Sequence, residues 1–185
     1  MNKLEETIKA FGDISYDYLL FKFRQGNNYS ISNNGFIAKK SSGGDNWNCV
    51  IVGDKEIPKN RIGKWKIKIN GNKTKQNNND KYSDIYIGIG PKSFQGNLYD
   101  ECWSIFSSSS KVFLQNKTKY FDYKNLNINI KKGDVIEVIV DRKLGNLSYS
   151  INGINYELAC SEIPKDDVLY PTVVLYEQGL SVEIV

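Results

Sequence analysis

Carboxylates are the side chains with the clearest chemical potential in this 185-residue chain. Asp166 and Asp167 are adjacent and could bind a cation or act as an acid and a base. Adjacent side chains rarely converge on one point, so a solvated loop is the better interpretation. A glycosidase needs two carboxylates held across a cleft, which the sequence does not suggest, and glycan hydrolysis is the weakest hypothesis. The other carboxylates that we considered are scattered, mostly in predicted turns: Asp54, Glu56, Asp80, Asp100, Glu101, Asp134 and Asp141.

Histidine is absent from the sequence. Its absence removes the usual base for a serine or cysteine nucleophile and the commonest metal ligand. The three cysteines, Cys49, Cys102 and Cys160, are far apart and lack the paired spacing of a zinc site. They are typical of reduced thiols in a cytoplasmic or nuclear protein. We therefore predict no catalytic residue, no metal site and no cofactor.

The charge and the hydropathy restrict the kinds of partner. A formal net charge of +4 permits weak attraction to acidic partners but falls short of a nucleic-acid-binding surface. Residues 1–13 are too polar for a signal peptide, and no apolar run approaches the roughly 20 residues of a membrane span. We expect a non-secreted, single-domain protein that is monomeric alone, with no nucleic-acid or membrane partner.

An antiparallel meander is predicted over residues 133–158. Three short apolar runs are separated by two turn signals, residues 141–145 and Asn152-Gly153. The Asn-Gly pair is the strongest two-residue hairpin signal, because a type I′ turn needs positive φ at both central positions. The middle run has the alternating pattern of a half-buried strand, with three apolar residues on one face: Leu147, Tyr149 and Ile151.

Short strands at intervals of 8–12 residues account for most of the remaining chain, and no βαβ pattern occurs. About a dozen such strands favour two stacked antiparallel sheets. One short amphipathic helix is predicted near the N-terminus, where Leu4, Ile8 and Phe11 share a face and Gly12 follows. It would either cap the sandwich or dock onto a partner. The expected organisation is a helical extension over residues 1–15 and a β-sandwich domain over residues 16–185.

Two patterns within the strands have a structural and a functional interpretation. Lysines alternate with apolar residues over residues 64–70, which indicates a solvated strand face rather than a nucleic-acid platform. Gly88, Gly90 and Gly96 lack the spacing of a dinucleotide fingerprint and no βαβ unit follows them. Close packing between strands explains these glycines better.

The order of these elements resembles the SPRY domain family. Its C-terminal half is matched by a strand opened by Gly133-Asp134, a hairpin ending in Gly-Asn-Leu-Ser, the Asn152-Gly153 turn, Leu169-Tyr170-Pro171, and a last strand after Gly179. Residues 31–38, 63–65 and 87–90 (ISNNGFIA, GKW and IGIG) resemble its N-terminal half, although lysines replace an acid near Trp65. The resemblance implies an all-β, concanavalin A-like sandwich of two antiparallel sheets.

SPRY domains usually bind proteins through variable loops at one end of the sandwich. By position, those loops are residues 39–47, 91–100, 107–110 and 176–179. Aromatic and cationic side chains on turn-rich loops also provide much contact area for each ordered side chain. Whether Tyr176 contacts a ligand or lies under the last strand stays open. The candidate contacts for a partner protein or linear peptide are Lys39, Lys40, Phe94, Tyr99, Tyr176 and Gln178.

The resemblance therefore implies a non-catalytic interaction module, an adaptor or a subunit of a larger complex such as a substrate-recognition unit of a ubiquitin ligase. The chain ends at Val185, within the last predicted strand. We expect no ligase-recruiting box, RING finger or LisH segment, the elements found beside many SPRY domains. The alternative is a carbohydrate-binding, lectin-like sandwich whose exposed aromatic rings stack on sugars.

Overall fold

Short β-strands make up most of the regular structure in a computed structural model of this protein. The structure describes residues 16–71, 83–94, 102–108, 111–117, 119–122 and 129–185. A short 3-10 helix covers Asn33–Gly35. The strands are β1 (Tyr16–Tyr18), β2 (Tyr29–Ser32), β3 (Ile37–Lys40), β4 (Cys49–Val52), β5 (Ile62–Ile69), β6 (Ile85–Gly90), β7 (Cys102–Ser108), β8 (Lys111–Lys117), β9 (Lys119–Asp122), β10 (Val135–Asp141), β11 (Asn146–Ile151), β12 (Ile154–Cys160), β13 (Tyr170–Leu175) and β14 (Ser181–Ile184).

The strands form two stacked sheets. The eight-stranded sheet has the order β12-β11-β10-β5-β14-β3-β2, and β1 pairs in parallel with one end of β5. The six-stranded sheet has the order β4-β13-β6-β7-β8-β9, and every pair in it is antiparallel. The predicted all-β, two-sheet antiparallel sandwich is confirmed. The predicted N-terminal helix and the extension over residues 1–15 lie outside the described residues.

The predicted meander is formed by β10, β11 and β12. Ile136 of β10 is opposite Ile151 of β11, at the end of the hairpin remote from the turn over residues 142–145. In the next turn Asn152 and Gly153 have φ values of 52° and 79°, as a type I′ turn requires. The Asn152 side chain accepts a hydrogen bond from the Val135 backbone N–H and donates one to Asp134. This residue therefore joins the second turn to the start of β10.

The core lies between the two sheets. On β5 the buried positions are Trp65, Ile67 and Ile69, and the lysines between them face outward. The outward lysines of β5 contact Glu137 of β10, with Nζ–Oε1 distances of 2.9 Å for Lys64 and 3.7 Å for Lys66. Ion pairing along the outer face favours the interpretation of this row as a solvated strand face.

Alkaline solution is expected to destabilise the fold through two buried thiols. Burial raises the pKa of Cys49 from 9.0 to about 11 and that of Cys160 to about 12. Above pH 9 the unfolded chain loses these protons first, so stability that is present below pH 9 is lost as the pH rises. Lys40, whose pKa is lowered mainly by burial, acts in the opposite direction.

Urea unfolding at about pH 8 and about pH 10.5 measures this effect. Each thiol should remove about 2 kcal/mol of unfolding free energy over that interval. A Cys49→Ala variant should therefore lose about 2 kcal/mol less than the unaltered chain between the same two pH values. If the unfolding free energy did not change with pH in either protein, the thiols would have the same pKa in the folded and the unfolded state, which would contradict the prediction.

Candidate functional site

Two loops meet at one end of the sandwich, where the chain crosses between the sheets. Loop A, residues 41–48, connects β3 to β4, and loop B, residues 176–180, connects β13 to β14. The Gly44 N–H donates to Gln178 Oε1 at 3.0 Å, and the Gln178 N–H donates to Asp45 Oδ1 at 2.9 Å. The Asn46 N–H donates to the Tyr176 carbonyl at 2.9 Å. These hydrogen bonds hold the two loops as one unit.

The buried side chain of Lys40 contacts both loops. Its side chain has 0% exposure, and its Nζ donates to the carbonyls of Asn46, of Tyr176 at 2.7 Å and of Leu175 at 3.3 Å. Burial is the main cause that lowers the pKa of this ammonium group, and the negative charge of the nearby Asp45 partly offsets it. Because the ammonium is enclosed, Lys40 positions both loops and does not present its charge to a partner.

A row of aromatic rings lies on the outer face of the six-stranded sheet. Tyr86 of β6 is opposite Phe106 of β7, which is opposite Phe113 of β8. The centroid of Phe106 lies 4.3 Å from that of Tyr86 and 5.3 Å from that of Phe113, and both pairs are stacked. Trp47 of loop A closes one end, 4.9 Å from Tyr86 and 5.0 Å from Tyr176 of loop B. We call these five residues the aromatic row.

The aromatic row is separate from the main core. The neighbours of Tyr86 on β6, Ile85 and Ile87, point into the sandwich and are fully buried, so Tyr86 points to the opposite face. Tyr86 is buried in a second apolar cluster, whereas the other four rings are half-buried. An outer sheet face with two half-buried rings, extended by two more from the adjoining loops, is suited to binding an apolar or aromatic group.

The predicted contact residues have different positions in the structure. Lys39 and Gln178 are exposed, and Tyr176 is half-buried in the aromatic row. Phe94 is only 7% exposed and packs in the second apolar cluster, so it supports the surface from below. Tyr99 lies outside the described residues. The structure thus brings Tyr176 and Gln178 together, and it places Lys40 and Phe94 inside.

Four members of the aromatic row were not among the predicted contacts. Tyr86, Phe106 and Phe113 each have an apolar neighbour on the strand that points into the core. Apolar residues at consecutive strand positions indicate that both faces of the sheet are covered or bind something. The sequence around Tyr86, Phe106 and Phe113 has such consecutive apolar positions, so it indicated a covered or ligand-binding outer face. Trp47 lay within a predicted contact loop but was not named.

The described ranges contain neither a metal site nor a membrane-spanning helix. No group of three or more His, Cys, Asp or Glu side chains there could hold a metal ion. Within the same ranges, no helix is both long enough and apolar enough to cross a membrane.

The fold is a β-sandwich of two sheets with joined loops at one end. Comparison with protein-family models matches residues 23–185 to the SPRY domain. The chain belongs to the SPRY domain family, whose members are generally non-catalytic protein-interaction modules. A search of curated proteins finds no match.

Solved structures show the same fold. The TRIM65 PSpry domain superposes with a TM-score of 0.67 at 7% sequence identity, covering 100% of this chain and 95% of that one. The SPRY domain of human HERC1 superposes with a TM-score of 0.63 at 20% identity, covering 89% of this chain and 96% of that one. At these identities the likeness extends to the fold alone.

Proposed function

We propose that this protein binds a partner through a short extended peptide that lies over the aromatic row and against loops A and B. The observation that carries the proposal is the aromatic row, which offers four half-buried rings outside the main core, two on the sheet face and two on the loops. Aromatic side chains in partly enclosed positions provide most of the energy in many protein interfaces. One or two apolar side chains of the peptide would be the anchors.

The joined loops support this proposal energetically. Ordering a flexible loop on binding opposes association, because each immobilised side chain loses conformational freedom. Loops A and B are already held by hydrogen bonds to each other and by the ammonium of Lys40. Binding at their edge would therefore require little further ordering, and the exposed Gln178 of loop B would serve as a polar contact. Lys39 instead faces outward on the eight-stranded sheet, on the side of the sandwich opposite the aromatic row.

The proposal extends to the role of the protein as an adaptor or a subunit of a larger complex in the cytoplasm or nucleus. Substrate recognition for a ubiquitin ligase is one such role. Membership of a family of interaction modules supports the role as an adaptor or a subunit of a larger complex. The three cysteines are buried thiols that form no disulfide, which supports a reducing compartment.

Substitution of Tyr176 tests the proposal. A pull-down from the source cell identifies the partner, and overlapping peptides of that partner define the bound segment. We expect Tyr176→Ala to weaken the affinity for this peptide by about tenfold to a hundredfold, because an anchor ring is removed. Fluorescence polarisation measures the dissociation constant, and circular dichroism confirms that the variant is folded.

Tyr18→Ala provides the matched control. Tyr18 is 60% exposed and belongs to β1 of the other sheet, so its removal should change the affinity less than about twofold. Equal losses in the two variants, or a partner that is retained after both loops are replaced by Gly/Ser, would contradict the proposal. Glycan-array hits that disappear in Tyr176→Ala would instead support the lectin-like alternative.

A further inference from the structure

A polar pocket lies at the β4 edge of the six-stranded sheet, beside the aromatic row. Its volume is about 370 Å³, and it opens between residues 24–29, β4 and the turn after β6. Val50 and Phe94 form part of its wall and also pack with Tyr86 in the second apolar cluster. The pocket and the aromatic row are therefore adjacent and share one apolar cluster. We call this pocket the basic pocket.

The charges in the basic pocket have one sign. Arg24 and Lys92 line it, and no carboxylate is among the described residues that do so. The guanidinium of Arg24 lies 4.6 Å from the ring centroid of Tyr170, and its Nη2 donates to the Asp54 carbonyl at 3.1 Å. These contacts orient the group and use one of its five N–H donors. Lys92 is exposed, so its ammonium provides a second, adjustable donor.

The remaining polar side chains of the pocket are neutral: amides and the hydroxyl of Tyr29, which donates to the Arg24 carbonyl at 2.7 Å. The Asn28 side chain donates to the Asn48 carbonyl at 2.9 Å, which ties residues 24–29 to the start of β4. Gln25 and Asn27 add further amide groups to the wall, and Val52 makes it partly apolar. A small anionic group attached to an apolar chain matches this lining in charge and polarity. A nucleic acid would need a longer cationic track.

We infer that the basic pocket receives the carboxylate of an Asp or Glu in the same peptide whose apolar anchor lies on the aromatic row. The inference rests on the proposed function and adds a specificity determinant to it. Val50 is opposite Val174 of β13, which is opposite Tyr86, so two strand steps separate the pocket wall from the row. Two steps are about 10 Å. An extended peptide spans this distance in about three residues.

Selection from a random peptide library displayed on phage, with the full chain as bait, tests this inference. We expect enrichment of peptides with an Asp or Glu about two to four residues from an aromatic or aliphatic anchor. A fluorescent copy of the most enriched peptide then serves as the probe. Charge reversal in Lys92→Glu should weaken its binding about five- to tenfold, and Arg24→Gln about tenfold.

Lys143→Glu provides the matched control, since Lys143 is exposed on the β10–β11 turn and has the same charge change. Its effect on affinity should be less than about twofold. Lys92 is exposed, so that variant remains informative if Arg24→Gln fails to fold.

The outcomes separate this inference from the proposed function. Enriched peptides that lack acids, and whose affinity falls in Tyr176→Ala but not in Lys92→Glu, would overturn the inference and support the proposed function. A failure to enrich any peptide, together with no partner in the pull-down, would overturn both. Tighter binding of a single-stranded oligonucleotide than of the peptide, lost in Lys92→Glu, would overturn the carboxylate assignment.

Discussion

Replacement of Gly88 by alanine is expected to lower the free energy of unfolding by about 3 kcal/mol or more. Gly88 is in the middle of β6, opposite Ser104 of β7 and Thr172 of β13. A Cβ at this position would lie 2.0 Å from the Trp103 carbonyl oxygen and 2.6 Å from Ser104 Cα. Both are backbone atoms, so strand β7 itself must move, and it carries the fully buried Trp103 ring.

Gly90→Ala is the matched control for this prediction. Gly90 belongs to the same strand and the same face, but its Cβ would be 3.6 Å from Phe94 and Thr172, an ordinary van der Waals contact. We expect its unfolding free energy to change by less than about 1 kcal/mol. Urea unfolding monitored by tryptophan fluorescence measures both variants. Similar losses for the two would show that the β6–β7 spacing is not the constraint.

The two glycines show what the sequence could not predict. Their spacing predicted close strand packing for both, and the structure has it at Gly88 alone, while Gly96 lies outside the described residues. The difference depends on the local distance between β6 and β7. That distance is a property of the two paired strands, which no pattern within β6 contains.

The sheets were more predictable than the surface that they present. Alternating polarity and the Asn152-Gly153 turn are local signals, and local signals were sufficient for the sandwich and its meander. The aromatic row depends instead on strand order: Tyr86, Phe106 and Phe113 become neighbours only because β6, β7 and β8 are adjacent in register. Strand order and register are properties of the whole sheet.

Lys39 and Lys40 illustrate the same limit within the candidate site. Both were predicted as contacts because they begin a variable loop. On β3 successive side chains point to opposite faces, so one lysine is exposed and the other is buried. The Tyr176 carbonyl that accepts from Lys40 is 136 residues away in the chain. A partner at that separation could be identified only in the folded structure.

Lys40→Met should therefore destabilise the protein and weaken peptide binding, because it removes the central contact between loops A and B. Methionine retains the length and apolar stem of lysine but removes the ammonium that donates to the carbonyls of Asn46, Leu175 and Tyr176. We expect a loss of about 3 kcal/mol of unfolding free energy, in the range found when one partner of a buried charged hydrogen-bond network is removed. Lys39→Met, at the exposed neighbouring position, should change stability by less than about 0.5 kcal/mol.

The same pair of variants separates loop positioning from direct contact. If Lys40 acts through the loops, amide hydrogen exchange at Gly44, Asn46 and Gln178 should accelerate in Lys40→Met at a temperature where the variant is still folded. Affinity for the selected peptide should fall at least about tenfold under the same conditions, because binding must then also order the loops. Lys39→Met should leave exchange unchanged, although it removes an exposed positive charge. Unaltered exchange in Lys40→Met would mean that the hydrogen bonds from backbone N–H groups to the side chains of Asp45 and Gln178 hold the loops without the buried ammonium.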